Sequence, residues 1–484
     1  MKKLTDILKN PPVRELCGDT AAAIGGLVYD SRAVKPGDCF FAVPGTQSDG
    51  HDYIPIAVEK GAAAIVCERM PADAAEGVAY VLVGDSAGAM ADMAAAFYDY
   101  PSRELKLVGI TGTNGKTTTA TLLYDLVRAM GYKAGLISTV VYKIDGREVE
   151  ATHTTPDSIR LNAMMREMAD AGCAYCFMEC SSHAIVQERT RGLDFAGGIF
   201  SNITHDHLDY HKTFAEYIRA KKLFFDGLPK GAFALTNADD RNGRVMVQNT
   251  AAAVSAYSLR AMADFRCKIV EMHLDGMLLR IDGQELWVGL LGRFNAYNLL
   301  AVYGAAVLLG LDRGEVLRVL SMLHAVSGRF EKIRAANGTT AIVDYAHTPD
   351  ALENVIQTIE EIRTPGQQLI VVCGCGGDRD RTKRPEMAAI AVKYATTAVF
   401  TSDNPRHESP EAILDDMVAG LEPGARYLRI ADRAEAIRTA VMLSRPGDII
   451  LVAGKGHETY QIVGDVKHPF DDREEIKKRF ALLN

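Results

Sequence analysis

The chain has 484 residues, of which 48% are hydrophobic and 24% charged, and this describes an ordinary globular protein of about three domains. A formal net charge of −8 argues against nucleic acid or an anionic membrane surface as the main partner. No apolar run follows Lys2 and Lys3 or reaches the roughly 18 residues of a spanning helix, so we expect neither a secretory signal nor membrane insertion. Nine cysteines in such a chain predict reduced thiols and a cytoplasmic location.

The first hundred residues predict a small α/β unit. Its most specific segment is Val28–Tyr53, where Asp30-Ser31-Arg32 follows a strand and a polar glycine loop follows at 45–50. Such a loop is usually only a turn, so it does not establish a ligand site by itself. A helix is predicted over Ala89–Tyr98, and Tyr100-Pro101-Ser102 has the composition of a domain joint.

The segment Leu107–Gly131 predicts a phosphate-binding loop. A short buried strand leads into a glycine turn, and Lys116 then opens an apolar-striped helix. Gly112 and Gly115 let backbone N–H groups approach phosphate oxygens, and the helix N-terminus adds positive potential. Lys116 supplies a cation, and the Thr117 hydroxyl is a ligand suited to Mg²⁺. The motif is the shorter GTNGKTT form rather than the strict eight-residue pattern.

Further along, polar residues follow the predicted strands of the same domain. Glu179 ends an apolar strand just before Ser181, and a buried acid beside a phosphate loop suits a metal ion, although an acid near a helix cap is the alternative. Three histidines and two aspartates crowd His205–His211, where the residues alone also allow zinc. Lys221 and Lys222 lie side by side on a predicted helix, and such a pair is usually solvated.

From about residue 340, strands and helices alternate regularly. This predicts a doubly wound sheet with ligands at the carboxyl ends of its strands. The segments Gly376–Met387, Ser402–Pro410 and Ala453–Gln461 lie at those ends. They place cations and carboxylates along one concave edge, namely Arg379, Asp403, Arg406, Lys455 and Glu458. Such a mixture suits a zwitterion with several carboxylates and ammonium groups.

The GTNGKTT string resembles the ATP loop of the Mur ligases, and the DSR…PGD…DGH series in Val28–Tyr53 resembles the uridine-binding domain of their MurE-type members. The resemblance extends over nearly the whole chain. It implies a three-domain α/β fold: a uridine-binding α/β domain over 1–101, a central P-loop ATPase-like α/β domain over 102–326, and a Rossmann-like doubly wound domain over 327–484. It also implies a monomeric ligase that depends on ATP and Mg²⁺ and extends UDP-MurNAc-L-Ala-D-Glu through an acyl phosphate in peptidoglycan precursor synthesis.

The same resemblance implies roles for individual residues. The residues expected at ATP are Gly112, Thr113, Asn114, Gly115, Lys116, Thr117, Thr118, Asn295, Arg329 and Asp344. Those expected at the UDP-linked substrate are Ser31, Thr46, Gln47, Thr154, Thr155, Ser181, Gln187 and Arg189. Thr117, Glu179 and His205 would hold Mg²⁺, and Lys116, Glu179, His205 and Lys221 would serve catalysis. Lys221 also matches the family position that carries a carbamate (N6-carboxylysine).

The incoming amino acid is expected to be meso-diaminopimelate. Asp403-Asn404-Pro405-Arg406 resembles the DNPR signature of diaminopimelate-adding members, and lysine-adding relatives lack that arginine. The arginine fork fits the extra carboxylate of diaminopimelate bidentately. The residues expected around it are Arg379, Asp403, Asn404, Arg406, Gly454 and Glu458. The alternatives are an L-lysine-adding enzyme, a folylpolyglutamate synthase-like ligase, and an Arg406 that merely pairs with Glu408 on a solvated loop.

Overall fold

The computed structural model describes residues 1–45, 48–204, 206 and 208–483. Three large sheets carry most of the chain, and each is mainly parallel with helices packed against it. The predicted three-part α/β fold is confirmed, while the domain boundaries at 101 and 326 stay predictions. Across residues 1–45, 48–204, 206 and 208–483, no helix has both the length and the apolar composition needed to cross a bilayer.

The first part is a five-stranded sheet of order β2-β7-β6-β5-β4, in which only the edge strand β2 runs antiparallel to its neighbour. The strands of this part are β1 Lys2–Lys3, β2 Val13–Cys17, β3 Ala23–Ile24, β4 Leu27–Val28, β5 Cys39–Phe41, β6 Ala64–Cys67 and β7 Ala79–Val83. Its helices are α1 Leu4–Ile7, α2 Ile54–Glu59 and α3 Ser86–Phe97, with 3₁₀ turns at Ser31–Ala33 and Gly50–Tyr53.

The second part is an eleven-stranded sheet of order β11-β10-β9-β12-β8-β13-β14-β15-β16-β17-β18. Its strands are β8 Lys106–Thr111, β9 Ala134–Ile137, β10 Val141–Ile144, β11 Arg147–Glu150, β12 Tyr175–Glu179, β13 Gly197–Phe200, β14 Phe233–Asn237, β15 Ala253–Ser258, β16 Phe265–His273, β17 Gly276–Ile281 and β18 Gln284–Val288. Its helices are α4 Lys116–Ala129, α5 Ser158–Asp170, α6 Ser182–Val186, α7 Leu208–His211, α8 Phe214–Asp226, α9 Gly243–Met246, α10 Arg293–Leu308 and α11 Arg313–Leu320. A 3₁₀ turn at Pro101–Glu104 precedes it.

In the order of the sheet, the seven neighbouring strands that begin with β9 and end with β16 are parallel. The antiparallel strands β10 and β11 extend one edge of the sheet, and β17 and β18 extend the other. Strands β12 and β14 are buried along their whole length, as expected where helices cover both faces of a parallel sheet. Because the strands are parallel, β8, β12 and β13 all end at the same edge. That edge carries the predicted phosphate loop after β8 and Glu179 at the end of β12.

The third part is a six-stranded sheet of order β19-β20-β24-β21-β22-β23, parallel except for β19. Its strands are β19 Glu331–Arg334, β20 Thr340–Asp344, β21 Leu369–Cys373, β22 Thr397–Phe400, β23 Tyr427–Arg429 and β24 Ile449–Ala453, and the separate hairpin is β25 Tyr460–Val463 with β26 Val466–Pro469. Its helices are α12 Pro349–Ile362, α13 Lys383–Tyr394, α14 Pro410–Val418, α15 Arg433–Leu443 and α16 Asp472–Phe480. One buried apolar cluster continues from the central sheet into this one.

Candidate active site

The turn after β8 is held in a shape that only glycine fits. Gly112 and Gly115 have φ of +149° and +87°. A Cβ atom at Gly112 would lie 2.0 Å from the Ser201 Oγ, and one at Gly115 would lie 2.5 Å from the Asn298 Oδ1. The Thr113 N–H donates to the Asn202 carbonyl at 2.8 Å, which ties the turn to the end of β13. The loop is therefore fixed in place at the N-terminus of α4, where its backbone can face an anion.

Two lysines, the half-buried Lys116 and the buried Lys221, converge on one carbonyl of this turn. Lys116 Nζ donates to the Gly112 carbonyl at 2.9 Å and to the Thr113 carbonyl at 2.8 Å. Lys221 Nζ, from α8, donates to the same Gly112 carbonyl at 2.8 Å. Burial lowers the pKa of Lys116 and takes the pKa of Lys221 well below its ordinary value, and the Lys116 charge lowers the Lys221 pKa further. Lys222 instead pairs with Asp226 at 2.6 Å, so the two neighbouring lysines have different surroundings.

Helix α8 presents Lys221 inward because its apolar residues lie on the same face. Thr213 caps the helix by accepting from the Glu216 N–H, which sets the register of its first turn. Tyr217 and Phe224, four before and three after the lysine, are buried as well. Lys221 Nζ lies 4.6 Å from the centre of the Tyr217 ring.

Glu179 is buried at the same sheet edge. Strand β12 pairs with β8 so that Glu179 lies opposite Ile110, two residues before the glycine turn. One of its carboxylate oxygens accepts the Thr139 N–H at 2.7 Å, and a carboxylate has further acceptor positions. With the Thr117 hydroxyl, the loop region offers the oxygen ligands that Mg²⁺ prefers. His205, the third expected ligand, lies outside the described residues, and the residues that are described hold no group of three or more metal-binding side chains.

Most of the residues expected at the UDP-linked substrate form one hydrogen-bonded group beside Glu179. The Thr155 hydroxyl donates to the Glu179 carbonyl at 2.7 Å, and Arg189 donates to the Thr155 carbonyl at 2.6 Å and to the Gln187 amide oxygen at 2.6 Å. Ser181 donates its N–H to the Thr155 hydroxyl at 3.1 Å.

Thr154 joins this group through Thr139, whose hydroxyl lies 3.0 Å from its own. Ser31 is buried at the start of a 3₁₀ turn in the first part of the chain. Burial and the Asp157 charge raise the pKa of nearby Tyr29, while the Arg189 charge opposes this. Thr46 and Gln47 lie outside the described residues.

A cavity of about 560 Å³ opens between the central and third sheets, beside the glycine turn. We call it the smaller cavity. Its lining includes the predicted residues Asn114, Gly115, Thr118, Arg329 and Asp344. Asn298, Tyr297, Arg260 and Arg293 also line it. Asn295 lies behind this wall: its side chain donates to the Leu291 carbonyl at 2.7 Å and accepts from the Asn298 side chain at 3.1 Å.

Two predicted residues of the third part face the loop across the smaller cavity. Arg329 donates to the Thr117 hydroxyl at 3.1 Å, and its guanidinium lies 4.5 Å from the centre of the Tyr345 ring. Asp344 ends β20 and accepts the Phe330 N–H at 2.7 Å. Burial raises the pKa of Asp344 to about 6, opposed by the nearby Arg329 charge.

Asp350, a residue that sequence reasoning missed, connects the two sheets directly. It lies in the first turn of α12 and accepts from the Asn114 side chain at 3.0 Å and from the Thr204 hydroxyl at 3.3 Å. The Thr348-Pro349-Asp350 sequence at the start of α12 signals a capped helix, but nothing in it indicates a partner in the glycine turn.

A larger cavity of about 1590 Å³ continues from the smaller one along the carboxyl edge of the third sheet. Its lining contains the predicted residues Arg379, Asp403, Asn404, Arg406, Gly454 and Glu458, and also Thr154 from the central part. The six residues come from three separate loops, after β21, β22 and β24, and the sheet brings them together as predicted.

Arg379 and Arg406 form the cationic side of the larger cavity. Arg406 donates to the Gly377 carbonyl at 2.8 Å and Arg379 to the Asp378 carbonyl at 3.1 Å. Within the described part of the chain, neither guanidinium has a carboxylate within ion-pair distance. Glu408 is bound instead by Arg381 and Arg384, at 2.8 Å and 2.9 Å, so the solvated pair considered as an alternative is not formed. Desolvation and then repulsion from Arg379 lower the pKa of Arg406.

The opposite side of the larger cavity carries acceptors. One oxygen of Asp403 accepts the Asn404 N–H at 2.7 Å, while the other is buried with no hydrogen-bond partner among the described residues. Glu458 accepts from the Asn404 side chain at 2.9 Å and from Lys455 at 2.8 Å. A buried carboxylate oxygen without a donor is costly unless a ligand supplies one, so this side suits an ammonium group.

A buried ion pair supports the loops from behind. Arg433 and Asp472, both fully buried, form two hydrogen bonds of 2.7 Å. The same guanidinium donates to the Ala453 carbonyl at 3.0 Å and to the Ser402 carbonyl at 3.4 Å. These are the residues immediately before Gly454 and Asp403, and Asp472 is the first residue of the last helix, α16.

Family models match all three parts of the chain. The Mur ligase family catalytic domain matches residues 23–98, the Mur ligase middle domain 110–306, and the Mur ligase glutamate ligase domain 328–456. A protein of Phocaeicola vulgatus named UDP-N-acetylmuramoyl-L-alanyl-D-glutamate--2,6-diaminopimelate ligase is 55% identical over 481 residues, covering 99% of both chains. The chain belongs to the Mur ligase family.

Other relatives agree with this assignment and place it in the MurE branch. A protein of Bacteroides fragilis with the same name is 55% identical over 482 residues and 99% of both chains. A solved structure of a UDP-N-acetylmuramoyl-L-alanyl-D-glutamate--2,6-diaminopimelate ligase superimposes with a TM-score of 0.68 at 32% identity, covering 95% of each chain. The three sheets of this Mur ligase are therefore the fold of its relatives.

Proposed function

We propose that this Mur ligase joins meso-diaminopimelate to UDP-MurNAc-L-Ala-D-Glu with the hydrolysis of ATP, in peptidoglycan precursor synthesis. The names of relatives that match 99% of the chain support the reaction. One observation supports meso-diaminopimelate as the amino acid. Arg379 and Arg406 line the larger cavity, and neither has a carboxylate partner among the described residues. We further propose that it acts as a monomer in the cytoplasm, where ATP and nucleotide-linked precursors are found.

The glycine turn and the smaller cavity would bind ATP. The backbone of residues 112–118 and the side chain of Lys116 would surround the phosphates, while Arg329 and Asp344 would contact phosphate and ribose from the third sheet. Lys116 then neutralises charge that develops as the γ-phosphoryl group is transferred. Glu179 and Thr117, with His205, would hold Mg²⁺, which offsets phosphate charge when bound.

The Thr154–Arg189 group would position the substrate dipeptide, since it lies directly beside Glu179. The terminal carboxylate of the substrate attacks the γ-phosphate and forms an acyl phosphate, and the amine of diaminopimelate then attacks the acyl carbon. Both steps depend on alignment of the reacting groups in a closed site more than on covalent help from the enzyme. We propose that Lys221 acts in the first step as a carbamate, because its amine is buried and its lowered pKa favours the neutral form that reacts with CO₂.

The larger cavity distinguishes diaminopimelate from lysine. The two amino acids differ by one carboxylate at the far end of the side chain. Arg406 and Arg379 would bind that carboxylate, while Asp403 with its unpartnered oxygen, Gly454 and Glu458 would receive the neighbouring ammonium group. Lysine would leave the half-buried guanidinium group of Arg406 without an anion, which is unfavourable.

The test is phosphate release from ATP with UDP-MurNAc-L-Ala-D-Glu present, measured with meso-diaminopimelate, with L-lysine and with neither. We expect turnover that requires the dipeptide and is fastest with meso-diaminopimelate. A preference for L-lysine would contradict the assignment of Arg406. Turnover with a folate and glutamate instead of the UDP-linked substrate would support the folylpolyglutamate alternative.

A further inference from the structure

The smaller and larger cavities meet at a common wall. The residues that line both are Thr204, Asp239, Asp240, Tyr345, His347 and Asp350. In the proposed function, ATP occupies the smaller cavity and the incoming amino acid occupies the larger one. The substrate carboxylate then receives its phosphoryl group from one side of this wall, and the amine attacks the resulting acyl carbon from the other side. The new C–N bond therefore forms next to these residues.

This step needs a proton acceptor. The amine of a free amino acid is mostly an ammonium ion at neutral pH and has no lone pair for attack. A side chain near the reacting nitrogen must take the proton, and the wall between the cavities is where such a group has to lie.

The carboxylates of the wall are already engaged in hydrogen bonds. Asp239 accepts from the Ser258 hydroxyl at 2.7 Å and from the Tyr297 hydroxyl at 2.8 Å. Asp350 accepts from Asn114 and Thr204, as described above. Asp240 accepts the N–H groups of Ile203 and Asn242 at 2.9 Å and 2.8 Å. These three groups hold the structure of the wall.

His347 is placed differently. Its Nδ1 lies 2.8 Å from the Tyr345 carbonyl oxygen, and because a carbonyl only accepts, this contact assigns the proton to Nδ1 and the lone pair to Nε2. The ring packs edge-on against the Tyr345 ring, with 4.7 Å between centroids. The hydrogen bond thus fixes the tautomer of the imidazole, and together with the ring contact it fixes the orientation of the ring.

The charges around His347 keep the ring neutral. Burial lowers its pKa, and the Lys383 and Arg329 charges lower it further, against an opposing effect of Asp206. Lys383 donates to the His347 carbonyl at 3.0 Å. His457, on the other side of Tyr345 at 5.0 Å between ring centroids, is also held neutral, since burial takes its pKa to about 3.

We propose that His347 is the general base of the ligation step and takes the proton of the incoming ammonium group on Nε2. The proposal rests on the proposed function. The free amine forms the C–N bond to the acyl carbon, and the C–O bond to phosphate breaks with its electron pair leaving on the phosphate. The second proton lost by nitrogen goes to the departing phosphate, and His347 returns its proton to water.

The test compares two nucleophiles in a His347→Gln variant. Diaminopimelate needs a base, whereas hydroxylamine is already unprotonated at neutral pH and attacks acyl phosphates to give a hydroxamate. We expect kcat/KM for diaminopimelate to fall by about 100-fold, a typical contribution of a general base. Hydroxamate formation from ATP and the UDP-linked dipeptide should stay within a few-fold of wild type. The deficit with diaminopimelate should shrink as the pH is raised, because more of the amine is then free.

His457→Gln is the matched control, since it changes the other neutral histidine packed on Tyr345, which lies outside both cavity linings. It should keep the wild-type ratio between the two nucleophiles and the wild-type pH dependence. Equal losses with both nucleophiles in His347→Gln and in His347→Asn, or no loss with diaminopimelate, would overturn the assignment. Failure of the wild-type enzyme to use diaminopimelate would instead reject the proposed function.

Discussion

The central and third sheets both present cations at their carboxyl edges, but they hold them in different ways. At the central edge, the half-buried Lys116 and the buried Lys221 both donate to the carbonyl of Gly112. At the third edge, Arg379 and Arg406 each donate to a backbone carbonyl through one guanidinium nitrogen. Both residues line the larger cavity, where the other guanidinium N–H groups are available to a ligand. A lysine is a point charge, while an arginine fork selects a planar partner. The first edge is therefore suited to neutralise phosphate, and the second to recognise a carboxylate.

The strongest way to test the central edge is to remove Lys116. The Lys116→Ala variant should lose roughly 3–4 kcal/mol of transition-state stabilisation, as with other preorganised charges, so turnover should fall by more than a hundredfold. Circular dichroism and the thermal melting temperature should show an intact fold. A variant with more than a tenth of wild-type turnover would show that this cation is not required.

Lys221→Ala tests whether the buried lysine of α8 acts as an anion. We expect a nearly inactive enzyme that a short carboxylic acid partly rescues, because the acid replaces the missing carbamate. Lys222→Ala is the matched control, since Lys222 pairs with Asp226 and lies on the outer side of the same helix. Full activity of Lys221→Ala would exclude a catalytic role, and mass spectrometry or ¹³C NMR with labelled CO₂ reports the modification directly.

Arg406→Ala tests the third edge alone. Losing a charge-assisted bidentate contact should cost roughly 2–4 kcal/mol, so KM for diaminopimelate should rise well over tenfold while KM for ATP hardly changes. Arg381→Ala is the control, because the exposed Arg381 pairs with Glu408 outside the cavity lining. If Arg406→Ala retains its selectivity for diaminopimelate over lysine, the two edges do not differ as described.

Asp350→Ala tests the contact between the edges. The variant loses the hydrogen bonds from Asn114 and Thr204, and about 1 kcal/mol of net stabilisation should raise KM for ATP roughly fivefold. Glu360→Ala, near the far end of the same helix, removes a carboxylate that pairs only with Arg363 among its described ion-pair partners and should leave KM unchanged. Equal KM values in both variants would mean that the contact does not support nucleotide binding.

The phosphate loop could be predicted from the sequence because its parts are close together in the chain. The strand, glycine turn and helix around Lys116 are contiguous, so their geometry follows from neighbouring residues. The three loops of the third edge were predictable for another reason: parallel strands end at one edge whatever their order in the sheet.

Contacts between distant segments could not be predicted in this way. Asp350 meets Asn114 across 236 positions in the chain, and Tyr297 meets Asp239 across 58. Neither pair follows from periodicity, capping or turn chemistry. The same holds for the strand order of the eleven-stranded sheet.

The ion pair between Arg433 and Asp472 has a consequence for the end of the chain. Through Arg433, the last helix is hydrogen-bonded to the carbonyls of Ser402 and Ala453, which directly precede two loops of the larger cavity. The final thirteen described positions from 471 to 483 are thus part of the support for amino-acid selectivity. A truncation before residue 472 would therefore leave the buried Arg433 guanidinium without its anion, directly behind the loops that line the larger cavity.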